Sequence, residues 1–263
     1  MGIGRPSVDA RLEADGPWPT AVVFDFDGLL MDTESTSFES WRYEWEQWGL
    51  TLDPATFFAD HGGDLTEQRY AELAAAAGRA FHRDLSHRRR TAYRDRLHVG
   101  LDLLPGMRDW LRQARRAGIR LAVASSSPRH WVSGHLRRVG AERAFEVLAC
   151  GDEVAAPKPA PDVYLLALAR LGVTGAQAVA VEDAAHGVAA AKAAGMRCIA
   201  IPNPFSPVPR FAAADLVLDS ARQVSLGEAL QQLPAGGSNM PTAGGARPVQ
   251  LVCTHRDDDP HLG

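Results

Sequence analysis

Residues 21–34 read AVVFDFDGLLMDTE. The apolar run at 21–24 predicts a buried strand, and two aspartates, Asp25 and Asp27, follow it with one residue between them. Gly28 then lets the backbone turn away from the strand. Because the carboxyl ends of the strands border the ligand crevice in open α/β sheets, the two carboxylates are predicted to lie at the floor of a binding site.

Two carboxylates at this spacing suit two chemical roles. Asp25 could attack phosphorus to give an aspartyl-phosphate, while Asp27 could protonate the leaving oxygen and later deprotonate water. The alternative is that both are ordinary turn residues, since Asp-Gly is a common turn dipeptide. The polar and charged residues elsewhere in the chain decide between these two interpretations.

The composition is that of a globular protein, with 263 residues, 46% apolar and 23% charged residues. A net charge of −4 disfavours nucleic acid as a partner, and the sequence has neither an apolar run long enough for a membrane helix nor a signal segment. We therefore expect a cytoplasmic protein. The three scattered cysteines imply no disulfide framework, and Cys150 and Cys198 are expected to be inert core residues.

The order of patterns along the chain predicts two structural units. Residues 1–19 and 234–263 are rich in glycine and proline without periodicity and are expected to be a flexible lead-in and a disordered tail. Residues 33–104 show helical spacing only, with Trp41, Trp45 and Trp48 on one predicted helix face as the core of a helical cap. The basic run at 88–90 is interpreted as a solvated helix face.

Residues 105–233 alternate between helical and strand patterns. With the first strand, they predict an α/β core at 20–32 and 105–233 with a doubly wound parallel sheet, from which the helical cap is suspended by two linkers. The further strands are predicted at 119–124, 145–150, 178–181, 198–201 and 216–218, and the helices of this part at 107–117, 129–139, 161–171, 186–194 and 221–233.

Two further stretches carry groups that could bind a phosphate: the serines after the second predicted strand and a lysine in a proline-rich loop. Ser125 and Ser126 end the second strand, where they could donate to phosphate oxygens, although capping of the next helix by Ser126 or Ser127 is an alternative. Lys158 lies between prolines in a stiff segment, so that its ammonium could offset the repulsion between a carboxylate and a phosphate. An exposed loop lysine is the competing interpretation for Lys158.

Glu182 and Asp183 follow the fourth predicted strand. Mg²⁺ prefers oxygen ligands and usually takes one or two carboxylates, which Asp25 and Asp183 could supply together with the main-chain carbonyl of Asp27. An acidic pair before a helix could instead act as a helix cap. Acidic, hydroxyl and ammonium groups at the carboxyl ends of four strands agree best with phosphoryl transfer.

In this order of motifs the sequence resembles the haloacid dehalogenase superfamily, and within it the helical-cap phosphatases and β-phosphoglucomutase. The resemblance covers residues 20–233 and rests on Asp25-Phe26-Asp27-Gly28, Ser125, Lys158-Pro159-Ala160-Pro161-Asp162, Glu182-Asp183 and the glycine-containing run at 187–196. It implies a Rossmann-like core, Mg²⁺, Asp25 as nucleophile and Asp27 as general acid and base. It also implies that Ser125 and Lys158 hold the phosphoryl group and that Asp183, helped by Glu182, completes the metal site.

Some positions depart from the family pattern. Ala184 and His186 replace polar residues common after the acidic pair, and His186 either donates into the site or faces solvent. The cap loop His61, Gly62, Gly63 and Asp64 resembles the family's substrate-specificity loop, with a leucine near the position where β-phosphoglucomutase has an arginine.

The expected function is hydrolysis of a small phosphorylated metabolite, such as a sugar phosphate, by a Mg²⁺-dependent phosphatase. The dehalogenases of this superfamily attack carbon and lack the second aspartate, so the presence of Asp27 disfavours a dehalogenase. Phosphonoacetaldehyde hydrolase, a further member, needs a Schiff-base lysine in the cap, and the absence of lysine from residues 1–157 excludes it. A sugar-phosphate mutase and a non-catalytic binding module on the same fold are the alternatives. The sequence leaves the oligomeric state open.

Overall fold

The structure, a computed structural model, describes residues 18–59, 65–78, 81–203 and 208–234. The predictions for residues 1–17 and 235–263 lie outside the described residues, as do those for the cap loop His61, Gly62, Gly63 and Asp64.

The described residues form one six-stranded sheet at the centre of the fold, and each pair of neighbouring strands in it is parallel. The strand order is β3-β2-β1-β4-β5-β6. The chain therefore adds β2 and β3 on one side of β1 and then returns to add β4, β5 and β6 on the other side. The predicted doubly wound α/β fold is therefore confirmed. The strands are β1 Ala21–Phe24, β2 Arg120–Ser125, β3 Val147–Cys150, β4 Ala178–Glu182, β5 Arg197–Ala200 and β6 Leu216–Val217.

Helices cover both faces of this sheet, which explains why its strands are apolar throughout. All four residues of β1 are buried, and Val22 and Phe24 pack into one core cluster while Ala21 and Val23 pack into the other. The helices of this part are α5 Met107–Arg116, α6 Arg129–Arg138, α7 Asp162–Leu171, α8 Ala185–Ala193 and α9 Leu226–Gln231. Cys150 and Cys198 are buried free thiols, as expected.

The main difference from the predicted elements is at the last helix. It begins at Leu226 rather than near residue 221 because Ser225 caps it, accepting from the Glu228 amide while the Glu228 carboxylate accepts from the Ser225 amide. The strands β2 and β4 each extend one residue beyond the prediction, to Ser125 and Glu182. Two candidate site residues are thus fixed by the sheet itself.

Between β1 and α5 the described residues form four helices, and we call this part the cap segment. They are α1 Thr33–Glu46, α2 Pro54–Ala59, α3 Thr66–Ala77 and α4 Arg83–Val99. Trp41 is buried against Tyr70, with ring centroids 4.6 Å apart, so it belongs to the core of this helical part. Trp48 lies beyond the end of α1, so only Trp41 and Trp45 belong to one helix.

The interpretation of the basic run 88–90 as a solvated face is wrong for Arg90. Its side chain is buried, donates to the Tyr70 hydroxyl at 3.0 Å and lies with its guanidinium carbon 4.2 Å from the Trp41 ring centroid. Arg89 donates to the buried carboxylate of Glu44 at 2.8 Å, while Arg88 is exposed. Consecutive residues of a helix point in different directions, and α4 directs Arg90 toward α1.

The two chain segments that connect the cap segment to the sheet lie side by side. The Leu104 amide donates to the Leu30 carbonyl at 2.8 Å, and Met31 bridges to Leu103. Both segments therefore pass next to the carboxyl end of β1. Among the described residues, no helix combines the length and the apolar character needed to cross a membrane.

Candidate active site

The candidate site is built on three adjacent strand ends. In the sheet register Phe24 pairs with Val123 on one side and with Val181 on the other, so that the next residues in line are Asp25, Ala124 and Glu182. The connections leave β1 and β4 in opposite directions, which makes the gap between these strands the crevice of the sheet. Asp25 and the acidic pair after β4 therefore face each other across the expected ligand position.

Lys158 is buried between these strand ends, so the interpretation as an exposed loop lysine is excluded. Its Nζ donates to Asp25 Oδ1 at 2.5 Å, to Glu182 Oε1 at 2.7 Å and to the Ala124 carbonyl at 2.9 Å. An ammonium has three protons, so all of them are used. Burial alone would lower the pKa of Lys158, but the two carboxylates raise it above its ordinary value. The ammonium is therefore held in place and charged.

Glu182 is held as firmly as the lysine. The Tyr164 hydroxyl donates to Glu182 Oε1 at 2.6 Å, and a Cβ at Gly187 would lie 2.1 Å from the carboxylate, so that only glycine fits there. The second oxygen, Oε2, is buried and has no hydrogen-bond partner within the described part of the chain. In this arrangement one oxygen of Glu182 orients Lys158, and the other has unused capacity as an acceptor.

Three buried carboxylates, those of Asp25, Glu182 and Asp183, have oxygens within 4.8 Å of one another. Burial raises the pKa of Asp25 to about 8, against the opposing charge of Lys158, and burial with the neighbouring carboxylates raises the pKa of Asp183 well above its usual range. One ammonium cannot balance three carboxylates. The oxygen-only donor set and this unbalanced negative charge fit a hard divalent cation.

Gly28 lies in the turn after Asp25 and next to the carboxylate of Asp183. It has a φ of 81°, and a Cβ there would lie 2.2 Å from Asp183 Oδ2. The glycine in the opening stretch is thus required both by the turn and by the close approach of Asp183. Asn203, which sequence reasoning did not single out, donates to the same Oδ2 at 3.4 Å.

Asp27 is half-buried, and within the described part of the chain four side chains donate to its carboxylate. Oδ1 accepts from Thr33 Oγ1 at 2.9 Å and from Trp131 Nε1 at 3.0 Å. Oδ2 accepts from Ser127 Oγ at 2.6 Å and from Ser125 Oγ at 3.3 Å. Two neighbouring strand ends and the start of the cap segment therefore meet at this carboxylate.

The two predicted phosphate-binding serines differ in their surroundings. Ser125 is fully buried, whereas Ser126 is exposed and its carbonyl lies against Gly151. The hydroxyl that joins Ser125 at Asp27 belongs to Ser127. The Ser127 amide donates to Ser125 Oγ at 3.0 Å, so a turn just beyond the end of β2 brings these two serines together at Asp27.

Glu34 is a further site residue that sequence reasoning missed, although it closes the opening stretch. It is half-buried in the first turn of α1, and burial together with the charge of Asp27 raises its pKa to about 7, with Arg69 of α3 opposing. Its position brings the cap segment into electrostatic contact with Asp27. His186 is half-buried, and its Nδ1 has no hydrogen-bond partner among the described residues.

Comparison with known proteins places this site in a family. A family model described as haloacid dehalogenase-like hydrolase matches residues 22–201. The "Phosphorylated carbohydrates phosphatase" of Thermotoga maritima is 35% identical over 182 residues, which cover 68% of this chain and 83% of that protein. The "Fructose-1-phosphate phosphatase YqaB" of Escherichia coli is 30% identical over 181 residues, covering 68% and 94% of the two chains.

Solved structures agree with these relatives. The crystal structure of a CbbY variant from Rhodobacter sphaeroides in complex with xylulose-1,5-bisphosphate is 33% identical, covers 78% of this chain and 96% of that one, and has a TM-score of 0.62. A parallel sheet with this site at its crevice, in a chain whose relatives are phosphatases, defines a hydrolase of phosphate esters. The chain belongs to the haloacid dehalogenase-like hydrolase family, which confirms the resemblance inferred from its motifs.

Proposed function

We propose that the protein is a Mg²⁺-dependent phosphatase of small phosphorylated carbohydrates that works through an aspartyl-phosphate. The observation that carries this proposal is the buried contact of Lys158 with Asp25 and Glu182, beside Asp183. A fixed ammonium next to an attacking carboxylate lowers the repulsion that a phosphate dianion would otherwise meet. The carbohydrate class is supported by the names of the relatives that act on phosphorylated carbohydrates and fructose 1-phosphate.

The reaction divides into two steps. In the first, an oxygen of Asp25 attacks phosphorus, the bond to the alcohol oxygen breaks, and Asp27 gives that oxygen a proton. In the second, Asp27 takes a proton from water, which attacks the phosphoryl group and releases Asp25. Ser125 and Lys158 would hold the phosphoryl oxygens during both steps, with Lys158 exchanging one of its three hydrogen bonds to the protein for one to the phosphoryl group.

A divalent cation bound by Asp25, Asp183 and the main-chain carbonyl of Asp27 would neutralise charge on the phosphoryl oxygens. Glu182, already bonded to Lys158 and Tyr164, would support this group from behind. The cap loop at residues 61–64 remains the predicted site of substrate selection.

Phosphate release from a panel of sugar monophosphates, with Mg²⁺ and with EDTA, tests this proposal. We expect Mg²⁺-dependent release of free phosphate from several sugar phosphates. Isomerised sugar phosphate without phosphate release would support the mutase instead. A protein that is inert toward the whole panel but binds sugar phosphates would support the non-catalytic module.

Mg²⁺ binding is expected to strengthen as the pH rises from about 6 to about 9. The raised pKa values of Asp25, about 8, and Asp183 mean that Mg²⁺ must displace protons below this range, at up to about tenfold in affinity per pH unit for each proton. Calorimetric titration of the metal-free protein in buffers of different ionisation enthalpy measures both the affinity and the protons released.

The same shifts predict how metal changes stability. A carboxyl with a raised folded-state pKa stabilises the metal-free protein fully below its unfolded pKa of about 4, and this contribution disappears as the pH rises through about 8. The increase in Tm on adding Mg²⁺ should therefore be larger at pH 8.5 than at pH 6. Equal affinity and equal Tm shifts at the two pH values would show that these carboxylates do not bind the ion.

A further inference from the structure

One donor to Asp27, Trp131, differs chemically from the other three. Trp131 lies in the first turn of α6, and its Nε1 is 3.0 Å from Asp27 Oδ1. An indole N–H can only donate, whereas the hydroxyls of Thr33, Ser125 and Ser127 can donate or accept. Hydroxyl partners tolerate either protonation state of a carboxyl oxygen, whereas an indole N–H bonds more strongly to an oxygen that carries no proton, because the hydroxyl oxygen of a carboxylic acid is the weaker acceptor.

The two oxygens of Asp27 are therefore not equivalent. If Oδ1 were protonated, its proton would have to point at Thr33 Oγ1, and the indole N–H would be left with the weakly accepting hydroxyl oxygen of the acid. If Oδ2 is protonated, Ser127 Oγ, 2.6 Å away, can turn to accept the proton, and the Trp131 bond persists. The partners of the carboxyl thus favour the proton on Oδ2.

The Trp131 ring is itself fixed by side chains from both parts of the molecule. His135 of α6 packs edge-on against it with centroids 4.4 Å apart, and His98 at the end of α4 does so at 5.1 Å. The Nε2 of His98 is also 3.0 Å from Thr36 Oγ1 of α1, and Arg94 lies over the indole at 5.3 Å. The orientation of the indole N–H is therefore set jointly by the sheet part and the cap segment.

We propose that Trp131 is a positioning residue for acid catalysis by Asp27, since its donor-only N–H holds Oδ1 as the unprotonated oxygen and directs the transferable proton to Oδ2. This inference rests on the proposed phosphatase function. In the proton transfer, the O–H bond at Oδ2 breaks and a new one forms on the departing alcohol oxygen, leaving the carboxylate with Oδ1 still bonded to Trp131.

The Trp131→Phe variant tests this role, because Phe keeps an aromatic ring against His98 and His135 and removes the donor. The kcat/KM for hydrolysis reports the steps up to and including loss of the leaving group. A sugar alcohol needs a proton in order to leave, whereas p-nitrophenolate leaves without one, so only the first substrate depends on the acid. We expect kcat/KM to fall about 10- to 100-fold for a sugar phosphate and to change little for p-nitrophenyl phosphate.

Trp110→Phe is the matched control. Trp110 is buried in the core, and its Nε1 donates to the Val224 carbonyl at 2.9 Å, so the variant also loses one indole hydrogen bond, but away from the site. It should affect both substrates equally. An equal loss, or no loss, with both substrates in Trp131→Phe would overturn the positioning role.

A second measurement does not depend on turnover. In a spectrum of the ¹⁵N-labelled indoles, the resonance that disappears in Trp131→Phe identifies Trp131, and it should move upfield in Asp27→Asn as the charged acceptor is lost. A Trp131 resonance that is unchanged in Asp27→Asn would also overturn the inference. Failure of the proposed function would look different, since the wild-type protein would then release phosphate from neither class of ester.

Discussion

Asp25→Asn is expected to abolish phosphate release, with kcat reduced on the order of 10⁴- to 10⁶-fold, because the amide cannot act as the attacking nucleophile. The fold should persist. The oxygen of the introduced amide can still accept from Lys158, and the variant has two carboxylates near one ammonium where the natural site has three. The metal-free variant should therefore unfold at a Tm no lower than that of the natural protein. Steady-state phosphate release and thermal unfolding measure the two effects.

Asp27→Asn is the control that separates nucleophile from acid and base. It keeps Asp25, so with p-nitrophenyl phosphate it should still transfer phosphate to the protein, and the aspartyl-phosphate should accumulate because no base activates water. Asp25→Asn should show neither a burst of p-nitrophenolate nor labelled protein. If Asp25→Asn retained more than about 1% of turnover, the nucleophile would have to be another residue.

The sequence predicted well the positions of the candidate residues that lie at strand ends. Asp25 directly follows β1, Ser125 ends β2, Glu182 ends β4, and Asp183 directly follows β4. An apolar strand followed by polar residues has one consistent interpretation in a parallel sheet, because all the strands expose their carboxyl ends on one edge. The position of a candidate site residue is then determined by the register, which local patterns already specify.

The residues that the sequence did not predict are those whose role depends on side-chain direction over long separations. Trp131 is 104 positions from Asp27, and nothing in the pattern of α6 shows that its indole turns toward a strand end. Tyr164 of α7 likewise looks like an apolar core residue until its hydroxyl is seen on Glu182. Arg90 was misplaced because a basic run does not reveal which member faces the neighbouring helix.

The balance between the buried carboxylates and the buried ammonium depends on contacts that exist only in the folded chain, so the sequence does not reveal it. Burial makes each carboxylate costly to ionise, and the single buried ammonium lowers that cost only for the groups that it contacts. Lys158 contacts Asp25 and Glu182, whereas Asp183 has Asn203 as a neutral donor. Lys158 therefore links the stability of the folded protein to the reactivity of its proposed nucleophile.

Lys158→Met is expected to destabilise the protein by about 3–5 kcal/mol and to lower kcat/KM by about 10³-fold. The unbranched Met fills much of the space of the lysine but leaves the buried carboxylates of Asp25 and Glu182 without their cation. Since the Lys158 charge lowers the pKa of Asp25 from a still higher value, the stability deficit should widen as the pH rises past about 8. Denaturant unfolding at pH 6 and pH 9 measures this.

The chain provides its own control, since its only other lysine is Lys192, which pairs at 2.7 Å with Asp215 near the surface. Lys192→Met should cost no more than about 1 kcal/mol and leave kcat/KM unchanged. Adding Glu182→Gln to Lys158→Met removes one of the stranded charges, so it should restore part of the stability without restoring activity. If stability and activity recovered together in that double variant, Lys158 would serve only to neutralise Glu182, and its role in holding the phosphoryl group would have to be abandoned.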